Sequence, residues 1–235
     1  MRKYYTRPCN FYYGNYAKKL IKSKKALALA GNSNIAFDQL EVFKRKKNRI
    51  KSKIYSLREI SFLKKEKKNV IKSDLKKITA KRKSISSMKF DKPQIIGVLN
   101  ITPDSFSDGG LFFEENKAYD QARTMINDGA SIIDIGGEST RPGSKIIDEN
   151  EEWKRVENVI IKLKKNYSKL PISLDTRKSY VMKKGIDTGV DIINDVSGLN
   201  FDKNSFNLIN SKKIPFILHH MQGTPEIMQK NPKYD

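Results

Sequence analysis

The residues best suited to chemistry in this chain gather at the ends of short apolar runs. Asn100-Ile-Thr-Pro-Asp-Ser-Phe-Ser-Asp-Gly-Gly110 follows the run Ile95-Ile96-Gly97-Val98-Leu99 and packs turn formers, hydroxyls and two carboxylates into eleven residues. Gly136-Gly-Glu-Ser-Thr-Arg141, Asp175-Thr176, Asn194-Asp195 and His219-His220 close four further runs. Carboxylates and amides engage polar ligands through paired hydrogen bonds, and the guanidinium fork of Arg141 matches an anion. His219 and His220 invite a general-base reading, but neighbours at a strand end point to opposite sides, so only one reaches a shared site. His220 is read as packing around the site.

The elements that must position these residues are regular from Pro93 onward. Strand-like runs at Gln94 to Asn100, Ser131 to Gly136, Pro171 to Asp175, Asp191 to Asp195 and Pro215 to His219 alternate with helical stretches. The helices span Glu114 to Asp128, Asp148 to Tyr167, Ser179 to Asp187 and Asp202 to Ser211. In the second helix Trp153, Val156, Val159, Ile160 and Leu163 share one face, and Asp148 is placed to cap it. Near-continuously apolar strands separated by helices predict an α/β fold with a parallel sheet. Ligands bind at the carboxyl ends of such strands, and five polar ends converging on one place favour a (β/α)8 barrel over an open sheet. Only five strands are present, where a barrel needs eight and about 250 residues.

Charge divides the chain in two. Residues 1–92 hold 28 Lys and Arg against 6 Asp and Glu, while 93–235 hold 19 against 20. The reading is a basic α+β extension over 1–92 and a barrel portion over 93–235. Lysine-rich segments are first read as solvated surface, which sets nucleic acid aside as the expected partner; the alternative is a polyanion such as nucleic acid or an anionic membrane surface. Within the extension, Gln39 to Arg45 and Arg49 to Leu57 predict a β-hairpin. Leu63, Val70, Ile71, Leu75 and Ile78 predict a helix, either lying on the barrel or acting as a connector. One cysteine, Cys9, and two histidines exclude an intrachain disulfide and an ordinary zinc site, which makes the cytoplasm the default location. No run approaches the roughly 18 apolar residues of a membrane span.

Ile96-Gly-Val-Leu-Asn-Ile-Thr-Pro-Asp-Ser-Phe-Ser-Asp-Gly-Gly110 and Gly129-Ala-Ser-Ile-Ile-Asp-Ile-Gly-Gly-Glu-Ser-Thr-Arg-Pro-Gly143 closely resemble the two signature segments of the dihydropteroate synthase family. Pro171-Ile-Ser-Leu-Asp-Thr176, Ile192-Ile-Asn-Asp195 and His220-Met-Gln-Gly223 follow in that family's order. The resemblance covers 93–235 and no motif before it. It implies a pterin-binding TIM barrel that joins 4-aminobenzoate to hydroxymethyl-dihydropterin pyrophosphate with Mg²⁺ assistance, releasing dihydropteroate and pyrophosphate in folate biosynthesis.

By the same resemblance, Asp175 and Asn194 bind the pterin, and Val196 and Met221 line its pocket. Asn100 ties the first strand to Mg²⁺ and pyrophosphate. Thr140 and Arg141 form the pyrophosphate and aminobenzoate side, and Phe106 and Pro142 wall the aminobenzoate ring. Asp108 stabilises the cationic pterin methylene. Read singly, several of these have structural alternatives: Asp175 as a helix cap, Asn194 as an Asx turn, Arg141 as a surface residue. Other readings of the whole are a pterin-dependent methyltransferase barrel, or a non-enzymatic basic remnant that binds nucleic acid. Full-length family members are commonly homodimers. The family's strands six to eight supply an Asp, a Ser-Arg-Lys segment and an Arg-x-His pair that do not occur here. The expectation is that chain 1–235 alone shows little or no synthase activity; a condensation assay on the purified monomer checks it, and turnover would overturn it.

Overall fold

The computed structural model describes residues 3–46, 49–102, 111–139 and 146–223, together with 227, 231 and 233. The chain forms two compact units, Met1–Lys83 and Ser84–Asp235. Residues 84–92, read above as part of the extension, cluster with the second unit.

The first unit is an antiparallel sheet with helices. Its elements are β1 (Tyr4–Tyr13), α1 (Gly14–Lys22), β2 (Leu27–Leu29), β3 (Asn32–Lys46), β4 (Arg49–Ser56), α2 (Leu57–Ile60) and α3 (Lys65–Thr79). The long β3 pairs with β1 along one edge and with β2 and β4 along the other. The β3–β4 pairing is the expected hairpin. The helix expected around Ile71 forms as α3 and lies on its own unit's sheet. Leu63, Val70, Ile71, Leu75 and Ile78 close a core with Tyr4, Phe37, Leu40 and Val42. A second, small cluster packs α1 onto the sheet through Ala17, Ala36 and Tyr12.

The second unit alternates β5 (Ile96–Asn100), α4 (Leu111–Asn127), β6 (Ile132–Gly136), α5 (Glu149–Asn166), β7 (Ile172–Asp175), α6 (Ser179–Thr188), β8 (Ile192–Asp195), α7 (Ser205–Lys212) and β9 (Phe216–Leu218). All five strands are parallel and sit side by side in chain order. Alternation splits each strand between two faces. The outward set, Leu99, Ile133, Ile135, Ile172, Leu174, Ile193 and Phe216, packs against the helices in one core with Trp153, Val156, Val159, Ile160 and Leu163 of α5. Fully burying one such side chain stabilises by about 1.5–3 kcal/mol, so this face anchors the unit. The Asp148 carboxylate caps α5 by accepting the Asn150 N–H at 2.8 Å, ahead of an acidic first turn that suits the helix dipole.

The other face is not continuously apolar, contrary to the strand reading from sequence. Its amino-terminal end is apolar, with Met88, Ile132 and Ile192 buried beside Ile85 and Ile217. Its carboxyl end is polar. The two faces meet tightly at Gly137, where a Cβ would lie 2.7 Å from the Glu152 carbonyl oxygen and 3.1 Å from Val156. Gly137→Ala must therefore push α5 away from the end of β6, and should cost about 1–3 kcal/mol, read as a lower thermal midpoint.

Candidate active site

Strand register aligns the chemistry in one row. Asn100 pairs across to Gly136, Gly136 to Asp175, and Asp175 to Asn194, over four adjacent parallel strands. Residues in register share a face, so an amide, a gap, a carboxylate and an amide stand side by side. The gap has a function. A Cβ at Gly136 would lie 3.4 Å from the Asn100 Oδ1 and 3.6 Å from the Asp175 Oδ2. Glycine there leaves open the space between the two polar groups.

Two residues down the strands lies a second row, in which Asp134 pairs with Ser173. Asp134 Oδ2 accepts from Asn194 Nδ2 at 2.9 Å, and Asn194 Oδ1 meets His219 Nε2 at 2.7 Å. The amide is thus pinned from both sides. Asp134 Oδ1 and Ser173 Oγ are buried without a hydrogen-bond partner. Buried polar atoms are normally satisfied, so this floor offers an acceptor and a hydroxyl to a small polar guest or water.

Above this floor, Asp175 is half-buried and its carboxyl is pushed up to about 7. Burial is the main cause, followed by the neighbouring charges of Asp134, Glu152, Asp195 and Glu138. Asp195 is fully buried and occupied, taking the N–H groups of Ser197 and Leu199 at 2.7 and 2.9 Å to shape the loop after β8.

The loops around the row are clamped by buried ion pairs. Glu138 accepts from Arg177 Nε at 2.9 Å and from Lys178 Nζ at 2.8 Å, and Lys178 also reaches Glu152 at 2.6 Å. Burial pushes Glu138 up, but its bonds from Lys178 and Arg177 outweigh this and hold its carboxyl below the usual value. For Glu152 burial wins and its carboxyl is raised, with Oε1 left unpartnered. The Arg177 guanidinium also stacks 4.2 Å from the Phe201 ring. This set ties the β6 end, α5 and the start of α6 to one another.

Of the residues expected from sequence, Asn100, Asp175 and Asn194 come together in the row. Val196 and Met221 are half-buried just beyond β8 and β9. Phe106, Asp108, Thr140, Arg141 and Pro142 lie outside the described residues. Of the two histidines, His219 reaches the row through Asn194. Sequence reading missed Asp134, Ser173 and the clamp. The signal for the first two was available, since Asp134 and Ser173 stand two residues before Gly136 and Asp175 and must share their face.

Against this geometry, residues 96–235 match the family model described as pterin binding enzyme. The chain belongs to the pterin-binding enzyme family. It is 46% identical over 146 residues to dihydropteroate synthase of Neisseria meningitidis serogroup B, which covers 61% of this chain and 50% of that relative. The structure of Clostridium difficile dihydropteroate synthase in the presence of pteroic acid is 43% identical with a TM-score of 0.55, covering 61% of this chain and 52% of that one. Xanthomonas albilineans dihydropteroate synthase with 4-aminobenzoic acid is 36% identical with a TM-score of 0.56, covering 63% and 51%. The chain spans about half the length of the curated relatives it matches.

Within this member of the family, the raised Asp175 makes a pH signature. Its folded pKa lies above the unfolded value, so the folded state binds the extra proton between about pH 4 and 7 and stability falls as pH rises through that window. Above it the charged carboxylate is a standing cost. Asp175→Asn should stabilise the ligand-free protein at pH 8, by on the order of 2–4 kcal/mol from the size of the shift, and change little at pH 4; denaturant melts at both pH values check this.

Proposed function

We propose that the second unit is part of the pterin-binding (β/α)8 barrel of a dihydropteroate synthase. The reaction joins the amine nitrogen of 4-aminobenzoate to the methylene of hydroxymethyl-dihydropterin pyrophosphate. A C–N bond forms, the C–O bond to pyrophosphate breaks, and the amine proton is lost. What carries the reading is the aligned row, Asn100, Gly136, Asp175 and Asn194, at the carboxyl ends of parallel strands. The related structures solved in the presence of pteroic acid and with 4-aminobenzoic acid support the substrate assignment.

Asp175 is fitted to a planar ligand that presents adjacent N–H groups, as the aminopyrimidine edge of a pterin does. Charge-assisted bonds of this kind are worth about 1.5–3 kcal/mol each, and they relieve the neighbouring carboxylates that push Asp175 up. Asn194, fixed by Asp134 and His219, offers a remaining N–H and a remaining lone pair in set directions. Val196 and Met221 give the apolar wall. By family resemblance Thr140 and Arg141 take the anionic ends, Phe106 and Pro142 hold the aminobenzoate ring, and Asp108 faces the methylene as positive charge develops there.

Mg²⁺ fits at Asn100. Its Oδ1 is a hard oxygen donor standing beside the open space at Gly136, and Mg²⁺ characteristically takes one or two protein oxygens and completes its shell with water and substrate phosphates. When bound there it would neutralise charge on the leaving pyrophosphate. The aniline nitrogen is already nucleophilic, so no strong base is required and His219 serves to orient Asn194. The single cysteine favours a cytoplasmic setting, and a homodimer is the assembly proposed for the full-length protein. Among the described residues no helix is long and apolar enough to cross a membrane.

In a completed barrel, Asp175→Ala should weaken binding of 6-hydroxymethylpterin by at least about tenfold, the loss of one such bond. Calorimetric titration measures it, and equal affinity in wild type and variant would remove the pterin assignment.

A further inference from the structure

The net charge of the chain stands on one unit. Residues 1–83 hold 26 Lys and Arg against 5 Asp and Glu, whereas 84–235 hold 21 of each. The first unit therefore carries the whole +21, and its carboxylates are already engaged. Asp38 accepts from Asn10 and Tyr12, Glu41 from Arg7, Glu59 from Ser56 in the cap of α2, Glu66 from Lys3 and Asp74 from Thr6. Most of the unit's cations have no acid left to answer them within it.

Several of these cations gather on the side of the sheet where α3 lies. Tyr4 and Val42 belong to the core that α3 closes, and register places Lys44 opposite Tyr4 and Lys53 opposite Val42. Lys51 is opposite Lys44, so Lys44, Lys51 and Lys53 share that side of the hairpin, and all three are exposed. α3 begins at this end, where its Lys67 Nζ donates to the Tyr55 hydroxyl at 2.7 Å and its Glu66 meets Lys3. Like charges directly across a strand pair destabilise it. Among the described residues, none of Lys44, Lys51 and Lys53 forms an ion pair; those of this unit are Lys3–Glu66 and Arg7–Glu41.

Two rings hold ammonium groups of this patch in place. Lys53 and Lys67 lie 5.2 and 4.2 Å from the centre of the Tyr55 ring, and Lys3 and Lys67 lie 5.5 and 5.8 Å from that of Tyr4. A ring face attracts a cation through its quadrupole, so these side chains give up part of their freedom before any anion arrives. Along β4, residues on one face recur every ~6.6 Å, close to the separation of successive phosphates on one nucleic-acid strand. Ordered cations at that interval, with Lys44 and Lys51 repelling each other, suit a phosphate backbone that relieves the repulsion. Tyr4 is buried and Tyr55 half-buried under lysines, which leaves neither free to stack on a base. The fit is therefore to a backbone, and best to a duplex, whose charge density exceeds that of a single strand. A bilayer takes up apolar groups beside the cations; Phe62, 80% exposed just ahead of α3, is the ring that would serve.

We infer that the lysines of the β3–β4 hairpin and the start of α3 bind the phosphate backbone of duplex nucleic acid without reading its sequence. Fluorescence anisotropy on the whole chain tests it, with a labelled duplex of about 20 base pairs and phosphatidylserine vesicles as the competing surface. The duplex should bind more tightly than about 10⁻⁴ M at physiological salt. Log K should fall against log salt at a slope of about −3.5 to −4.5, near 0.9 for each phosphate met by Lys3, Lys44, Lys51, Lys53 and Lys67. Two unrelated duplex sequences should agree within about twofold. Combined Lys44→Gln, Lys51→Gln and Lys53→Gln should flatten the slope by about 2 to 3. Combined Lys18→Gln, Lys19→Gln and Lys22→Gln on α1 remove the same charge elsewhere and should flatten it by less than about 1. Phe62→Ala should leave duplex affinity unchanged. Equal flattening by the two triple variants, no duplex binding within that limit, or capture by vesicles alone that Phe62→Ala abolishes would each overturn the inference.

Discussion

Two buried cations, Arg177 and Lys178, hold together an end of the parallel sheet where five carboxylates, Asp134, Glu138, Glu152, Asp175 and Asp195, lie close enough to act on one another. The balance is uneven by construction. Glu138 takes both cations, Glu152 shares one, Asp195 is satisfied by backbone N–H groups, and Asp134 is held by an amide. Asp175 is left to bear the repulsion. Breaking a buried pair typically costs about 3–5 kcal/mol because the surviving charge is stranded; Asp175 is raised first by its burial and then by the charge of its four neighbours. The scaffold stays neutral enough to fold, and the residual strain is directed at the position that faces a ligand.

Most of the second unit was readable because its signals are local. Five apolar runs, a capped amphipathic helix at Asp148, and polar residues at each strand end lead directly to β5–β9 and their helices. Register was not local, and it is register that builds the site. Which of Asp134, Ser173 or Glu138 would face Asp175 depends on how neighbouring strands align and on α5 lying against Gly137. The histidine pair shows the limit well: sequence says that only one can turn inward, and only the Asn194–His219 contact says which. In the first unit the hairpin and the α3 stripe were legible, but the surface that α3 covers was not, since a helix's apolar face names no partner.

The two units solve different electrostatic problems. In the second, equal numbers of acids and bases are sorted inward, with carboxylates concentrated where the strands end. In the first, bases are spread over an antiparallel sheet whose core is closed on one side by α3 and only partly on the other by α1. One arrangement gathers polar groups at the strand ends; the other presents charge outward over a wide area.

The double pinning of Asn194 has a consequence for discrimination. A free side-chain amide can rotate by half a turn and exchange its donor and acceptor at little cost, so it reads a ligand ambiguously. With Nδ2 held on Asp134 and Oδ1 on His219, that rotation would break two hydrogen bonds and set like groups against each other. The amide therefore behaves as a fixed directional pair whose ordering entropy is already lost on folding. A heterocycle whose protonated and unprotonated ring nitrogens are interchanged, the wrong tautomer of the same molecule, would meet donor with donor. The strand pair β7–β8 thus filters the electronic form of what binds as well as its shape.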